Sequence, residues 1–325
     1  MWSANALDFS SQIAIRRNPN RNEHGCERGL RSTVAKLIRK YNDSEKPSWI
    51  IPLMQSAKFC YHGGKKEVYV YRNTAIAISD RPIGLSLFWL KLFKQINRMF
   101  PNTLNYPSET YEVSGYLKDE KGDSKHHSYF VALLPKCSFT LIDTLIDGYH
   151  GFEASFIPLG RALRELHNKN VVLGDIKPDN ILICGKSLSF GDIDEAYRLE
   201  KHNTIYRFTA PYNLFQYWAE YKKVPVLTDD HYKFLDWYAF AYCVLVSCSA
   251  DGYGEQIVRA AYGCTNAKTP FRMKLMENEF KNASIHPIVR QCVNWMLLSN
   301  GDYIDPKPMA DFFTPRRLVI KGYKW

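Results

Sequence analysis

The stretch Leu166–Asp194, LHNKNVVLGDIKPDNILICGKSLSFGDID, decides how the whole chain is read. It opens as the end of an amphipathic helix and passes through a polar turn. Two short apolar segments follow, and the stretch ends on the carboxylates Asp192 and Asp194. Within it, Asp175-Ile-Lys177-Pro-Asp-Asn180 sets an acid, an amine and an amide at fixed spacing on one tight loop.

Those three groups suit one kind of chemistry. Transfer of a phosphoryl group from a nucleotide needs a carboxylate to orient the attacking hydroxyl, a cation near the moving phosphate, and oxygen ligands for magnesium. The loop resembles the catalytic loop of protein kinases, which ends D-[LI]-K-P-x-N and is followed by a magnesium-binding D-F-G motif. Leu166-His167 stands where kinases carry Leu-His before that loop, and Leu173-Gly174 takes the His-Arg positions ahead of the catalytic Asp. Asp192 falls at the D-F-G aspartate, with Ile193 and Asp194 in place of Phe and Gly. Downstream, Thr209-Ala-Pro-Tyr212 resembles the substrate-docking T-x-x-Y, and Gln216 takes the place of the A-P-E glutamate. Asp236-Trp-Tyr-Ala-Phe-Ala241 resembles the start of the helix buried in the family's large lobe.

The resemblance implies a role for each residue. Asp175 would accept a hydrogen bond from the substrate hydroxyl. Lys177 is the serine/threonine-kinase variant and would neutralise charge on the transferred γ-phosphoryl group. Asn180 and Asp192 would hold Mg2+ with the ATP, and Asp194 either reaches a second metal or caps the following turn. Thr209 would bridge toward Asp175 and Lys177. The implied fold is α+β and two-lobed: a basic extension over 1–48, a β-rich small lobe over 49–135 and a helical large lobe over 136–325.

Upstream, Tyr61-His-Gly63-Gly64-Lys65-Lys66-Glu-Val-Tyr-Val-Tyr71 puts glycines in a turn before alternating Val and Tyr. Arg72-Asn73 supplies the next turn, and Thr74–Ile78 the next strand. This resembles a reduced glycine-rich loop, with Gly63-Gly64 in place of G-x-G-x-x-G; a plain hairpin is the alternative. The family's V-A-I-K lysine corresponds to Ser79. The helix expected over 83–100 holds no Glu or Asp, only Gln95 near the position of the partnering glutamate. A buried carboxylate without its lysine would be costly, so the two are lost together. The phosphates are left short of one cation, and Lys65 or Lys66 is expected to point into the cleft beneath Gly63-Gly64.

Elsewhere the pattern predicts strands over 111–122 and 128–135, with the connection between lobes around Leu134-Pro-Lys136. Helices are expected over 138–147, 156–167, 234–247, 285–299 and 308–313. In the basic extension, Leu30, Val34, Leu37, Ile38 and Tyr41 fall near helical spacing. That helix either packs on the small lobe or offers its basic face to an acidic partner or anionic surface.

The formal charge of +10 favours acidic partners such as nucleotide, phosphorylated protein, nucleic acid or anionic lipid, without choosing among them. The aromatics form no nucleic-acid recognition motif. Eight cysteines make no C-x-x-C, so their spacing indicates neither a zinc site nor a disulfide framework. A reducing, cytoplasmic setting is expected. The longest apolar run, 234–248, contains Asp236 and is too short to span a bilayer. Three functions fit: a serine/threonine kinase acting on a protein substrate, a pseudokinase that binds nucleotide as a scaffold, and a kinase-fold adenylyl transferase. The intact lower-lobe set favours the first, and the missing lysine–glutamate pair favours the others.

Overall fold

The computed structural model describes residues 34–37, 58–62, 66–80, 87–118, 121–146, 152–193, 196–199, 227–248, 286–299 and 302–315. Gly63, Gly64, Lys65, Asp194, Thr209 and Gln216 lie outside these residues, as does most of the basic extension. The described chain is α+β, with mixed helix and sheet.

Its first part is one antiparallel sheet. Strands β1 (Lys58–His62), β2 (Lys66–Tyr71), β3 (Thr74–Ser79), β4 (Glu109–Lys118) and β5 (Ser124–Pro135) lie in the order β1-β2-β3-β5-β4. Successive side chains point to opposite faces, so each strand serves two surfaces. On one face Tyr69, Ile76, Ile78, Val113, Val131 and Leu133 bury against Val34 and Leu37 of the helical residues 34–37. The described piece of the N-terminal helix therefore packs on the sheet. On the other face Ala77 and Ala132 are buried with Val68, Phe130 and Leu134 beside them. Its two central residues are alanines, so this second surface is apolar but shallow.

The rest is mostly helical. Of the helix expected over 83–100, residues 83–86 lie outside the described residues; in α1 (Leu87–Met99) Leu92, Phe93 and Ile96 join the larger core. That core is shared with α2 (Leu141–Ile146), α3 (Glu153–Asn168), α4 (Asp229–Cys248), α5 (Pro287–Ser299) and α6 (Lys307–Phe312). Helix α4 is buried almost all round through Phe234, Leu235, Trp237, Tyr238, Phe240, Tyr242 and Val244, as its unbroken apolar sequence requires. Phe313 stacks on Trp237 with ring centroids 5.2 Å apart and lies over Gly160 of α3. A Cβ at Gly160 would come within 2.3 Å of that ring, so only glycine permits the approach.

Short strands place the loops. Strands β6 (Phe139–Thr140), β8 (Ile181–Cys184) and β9 (Ser187–Phe190) form a three-stranded sheet. Strand β10 (Tyr197–Arg198) pairs with β7 (Val171–Val172). Thr103 and Asn105 bond to both backbone groups of Phe190 at 2.9 Å, which ties β9 to the chain between α1 and β4.

One expectation is corrected here. Cys137, between β5 and β6, is disulfide-bonded to Cys184 at the end of β8. The two cysteines are 47 residues apart, and it is the pairing of Phe139 with Ile183 that brings them side by side. Sequence spacing carries no trace of that contact. Among the described residues no helix is long and apolar enough to cross a membrane.

Candidate functional site

The loop after α3 is held from below by a buried carboxylate. Asp236 of α4 is 1% exposed and accepts the N–H groups of Leu173 at 2.7 Å and Gly174 at 2.9 Å. His167 Nε2 lies 3.1 Å from the same carboxylate. A charge in an apolar helix is tolerable only when its lone pairs are used, and three donors converge on this one. Gly174 has φ +75°, and a Cβ there would sit 3.2 Å from Cε2 of Tyr197 on β10. Glycine at this position thus suits both a left-handed backbone and a ring above it.

Burial pushes the pKa of His167 down, against the opposing pull of Asp236. A carboxylate only accepts, so the neutral ring carries its hydrogen on Nε2, and Nδ1 has no partner among the described residues. The pH dependence follows from the sign. The folded-state pKa lies below the unfolded value of about 6.5, so the unfolded chain takes up the proton first. Stability from this group is complete above that value and lost as pH falls through the folded one. Burial lowers His231 in the same direction, with Asp230 opposing. The urea midpoint is therefore expected to drop between about pH 7 and about pH 5.5. His167→Gln, which keeps a donor for Asp236, should flatten part of that drop; an identical drop in the variant would clear His167 of the effect.

Above Asp236 the polar groups of the loop gather on Asp175, which is 8% exposed. Its Oδ2 accepts from Lys177 Nζ and from Asn180 Nδ2, each at 2.8 Å. Asn180 Nδ2 also reaches the Asp175 carbonyl at 3.0 Å. The other oxygen, Oδ1, is buried and has no hydrogen-bond partner among the described residues. One oxygen is thus anchored and the second is an uncommitted acceptor. Pro178–Asn180 is a 3-10 turn that begins on its proline, and Gly191 N–H donates to the Asn180 carbonyl at 2.7 Å. That bond joins the loop to the end of β9.

Directly after Gly191 comes Asp192 with φ +54°, a left-handed conformation uncommon outside glycine and often kept where function requires it. Its Oδ1 receives Lys66 Nζ. Lys66 heads β2, and the register sets it opposite Ser79 on β3. Lys66 thus places a cation on the strand that faces Ser79. Gln95 is exposed on α1, whose inward side chains are apolar, so the site takes no ionic partner from that helix.

Side chains two apart share a face, so Val68, Ala77 and Ala132 lie on the same side of the sheet as Lys66. They form a shallow apolar surface on the face from which Lys66 reaches Asp192. Asn180 has Nδ2 turned to Asp175, which presents its Oδ1 elsewhere. Like the Asp192 carboxylate, it is a hard-oxygen group of the kind that would suit Mg2+. Among the described residues no group of three or more His, Cys, Asp or Glu side chains gathers as a metal site.

Asp175, Lys177 and Asn180 are thus hydrogen-bonded to one another and Lys66 pairs with Asp192, the two groups being joined through Gly191 N–H on the Asn180 carbonyl, while Gly63, Gly64, Lys65, Asp194 and Thr209 lie outside the described residues. The sequence reading takes Asp236 only as the start of a helix. Its role as acceptor for the loop shows once α4 lies under β7, and an aspartate in an otherwise apolar run was the available signal. The Val68–Ala77–Ala132 surface needed the strand register. No protein-family model matches the chain, and no curated protein does either.

Proposed function

We propose that this protein is an atypical serine/threonine protein kinase with a two-lobed, kinase-like fold, in which ATP lies between the sheet and the helical half. The observation that carries the reading is the ion pair of Lys66 with Asp192, beside an Asp175 whose second oxygen is uncommitted. In this reading a substrate hydroxyl gives its proton to the Asp175 carboxylate as its oxygen attacks the γ-phosphorus in line. The bond to the β–γ bridging oxygen breaks, and ADP leaves. Asn180 and Asp192 would hold Mg2+, whose charge would offset that of the phosphate oxygens. Lys177 sits 2.8 Å from Asp175 and offers its cation to the transferred group. Lys66 serves the phosphates from β2, in the office that Ser79 cannot fill. The acceptor is a protein hydroxyl, and the charge of +10 favours acidic surroundings for it.

The test is incubation with γ-labelled ATP, magnesium and a mixed protein acceptor, with wild type beside Asp192→Ala. Label on protein in the wild type alone is the expected result. Tight ATP binding without transfer would replace this reading with a nucleotide-binding pseudokinase. Transfer of α-label in place of γ-label would identify an adenylyl transferase.

A further inference from the structure

The chain passes from the sheet to the helical half through Lys136, Cys137 and Ser138. Each is fastened. Lys136 N–H donates to the Asn73 carbonyl at 3.0 Å, and Ser138 N–H to the Ile183 carbonyl at 2.8 Å. Asn105, itself 6% exposed, places Nδ2 3.3 Å from the Pro135 carbonyl and 3.6 Å from Cys137 Sγ. Cys137 is bonded to Cys184, with Cα atoms 4.3 Å apart. The covalent loop closed in this way, residues 137–184, contains α2, α3, β7 and the whole Asp175–Asn180 loop.

Cys137, Cys184, Cys243 and Cys292 fall into two classes. Cys243 and Cys292 are fully buried, and burial pushes both thiols up, out of reach of exchange chemistry. Cys137 and Cys184 are only half-buried and lie in charged, solvent-facing surroundings: exposed Lys136 precedes one, and exposed Lys186 follows two residues after the other. A thiolate can reach this disulfide, and neighbouring lysines favour thiolate as the leaving group.

We propose that Cys137–Cys184 is a redox-operated staple that holds the connector against β8 and so keeps the Asp175–Asn180 loop in register with Lys66 on the sheet. A dithiol reductant supplies two electrons and two protons. The S–S bond breaks, each cysteine becomes a thiol, and the reductant leaves as its own disulfide. The connector then keeps only its hydrogen bonds, and the two halves of the site lose their fixed spacing. The consequence for nucleotide rests on the phosphotransfer reading; the staple itself does not.

The experiment uses the full chain purified without reductant. Alkylation before and after dithiothreitol, read by mass spectrometry, should protect Cys137 and Cys184 in the first sample and label both in the second. Dithiothreitol should lower the unfolding temperature and weaken binding of a fluorescent ATP analogue on the order of tenfold, the usual scale of coupling between sites. The double variant Cys137→Ser/Cys184→Ser should behave like reduced wild type with or without dithiothreitol. Labelled thiols at both positions before reduction, or wild type unchanged in melting and affinity on reduction, would overturn the proposal. If no nucleotide binds in either state while the melting shift appears and vanishes in the double variant, the staple stands and the phosphotransfer reading falls.

Discussion

Lys66→Ala is expected to weaken binding of ATP with magnesium by roughly tenfold to a hundredfold, the scale of one charge-assisted contact in a partly desolvated site. Transfer should fall at least as far. The reason is local and electrostatic: in the proposed reading several negative phosphate oxygens meet where Lys66 pairs with Asp192. The register makes the test sharper. Lys66 and Ser79 face each other across β2 and β3, so Ser79→Lys in a Lys66→Ala background should restore part of the lost affinity from the opposite strand. Lys65→Ala serves as the comparison. Unchanged affinity in Lys66→Ala, and again in the Lys65→Ala/Lys66→Ala double variant, would remove the cation from the account.

Asp236→Ala should cost about 3–5 kcal/mol in urea unfolding, since it strands two buried N–H groups and a histidine donor at once. That is a large share of the roughly 5–15 kcal/mol by which domains are stable. Asp236→Asn should do little better, because an amide has one acceptor oxygen where Leu173 and Gly174 present two donors. A loss below about 1 kcal/mol would mean that the loop finds other acceptors, and that Asp236 does not fix its position.

Much of this arrangement is legible in the sequence, for identifiable reasons. Helix α4 announces itself through a long apolar run, and β2 and β3 through alternation around Arg72-Asn73. The spacing of Asp175, Lys177 and Asn180 within one tight turn fixes their mutual contacts, because a six-residue loop leaves the side chains little choice. What sequence could not give is pairing across distance. Whether Lys65 or Lys66 faces inward depends on a one-residue choice of register, and a slip of one would turn the cation to the other face. The Cys137–Cys184 bond depends on β6 lying beside β8, which no spacing rule anticipates.

The account assigns separate duties to two carboxylates, and one measurement addresses that division most directly: calorimetric titration of ATP with magnesium into Asp175→Ala and Asp192→Ala, alongside transfer of the γ-phosphate. Asp175→Ala is predicted to bind nucleotide about as wild type does and to lose transfer by roughly a hundredfold or more, as removal of a general base does. Asp192→Ala is predicted to lose magnesium-dependent binding itself, with the fold intact by circular dichroism. Equal loss of nucleotide binding in both folded variants would contradict the account.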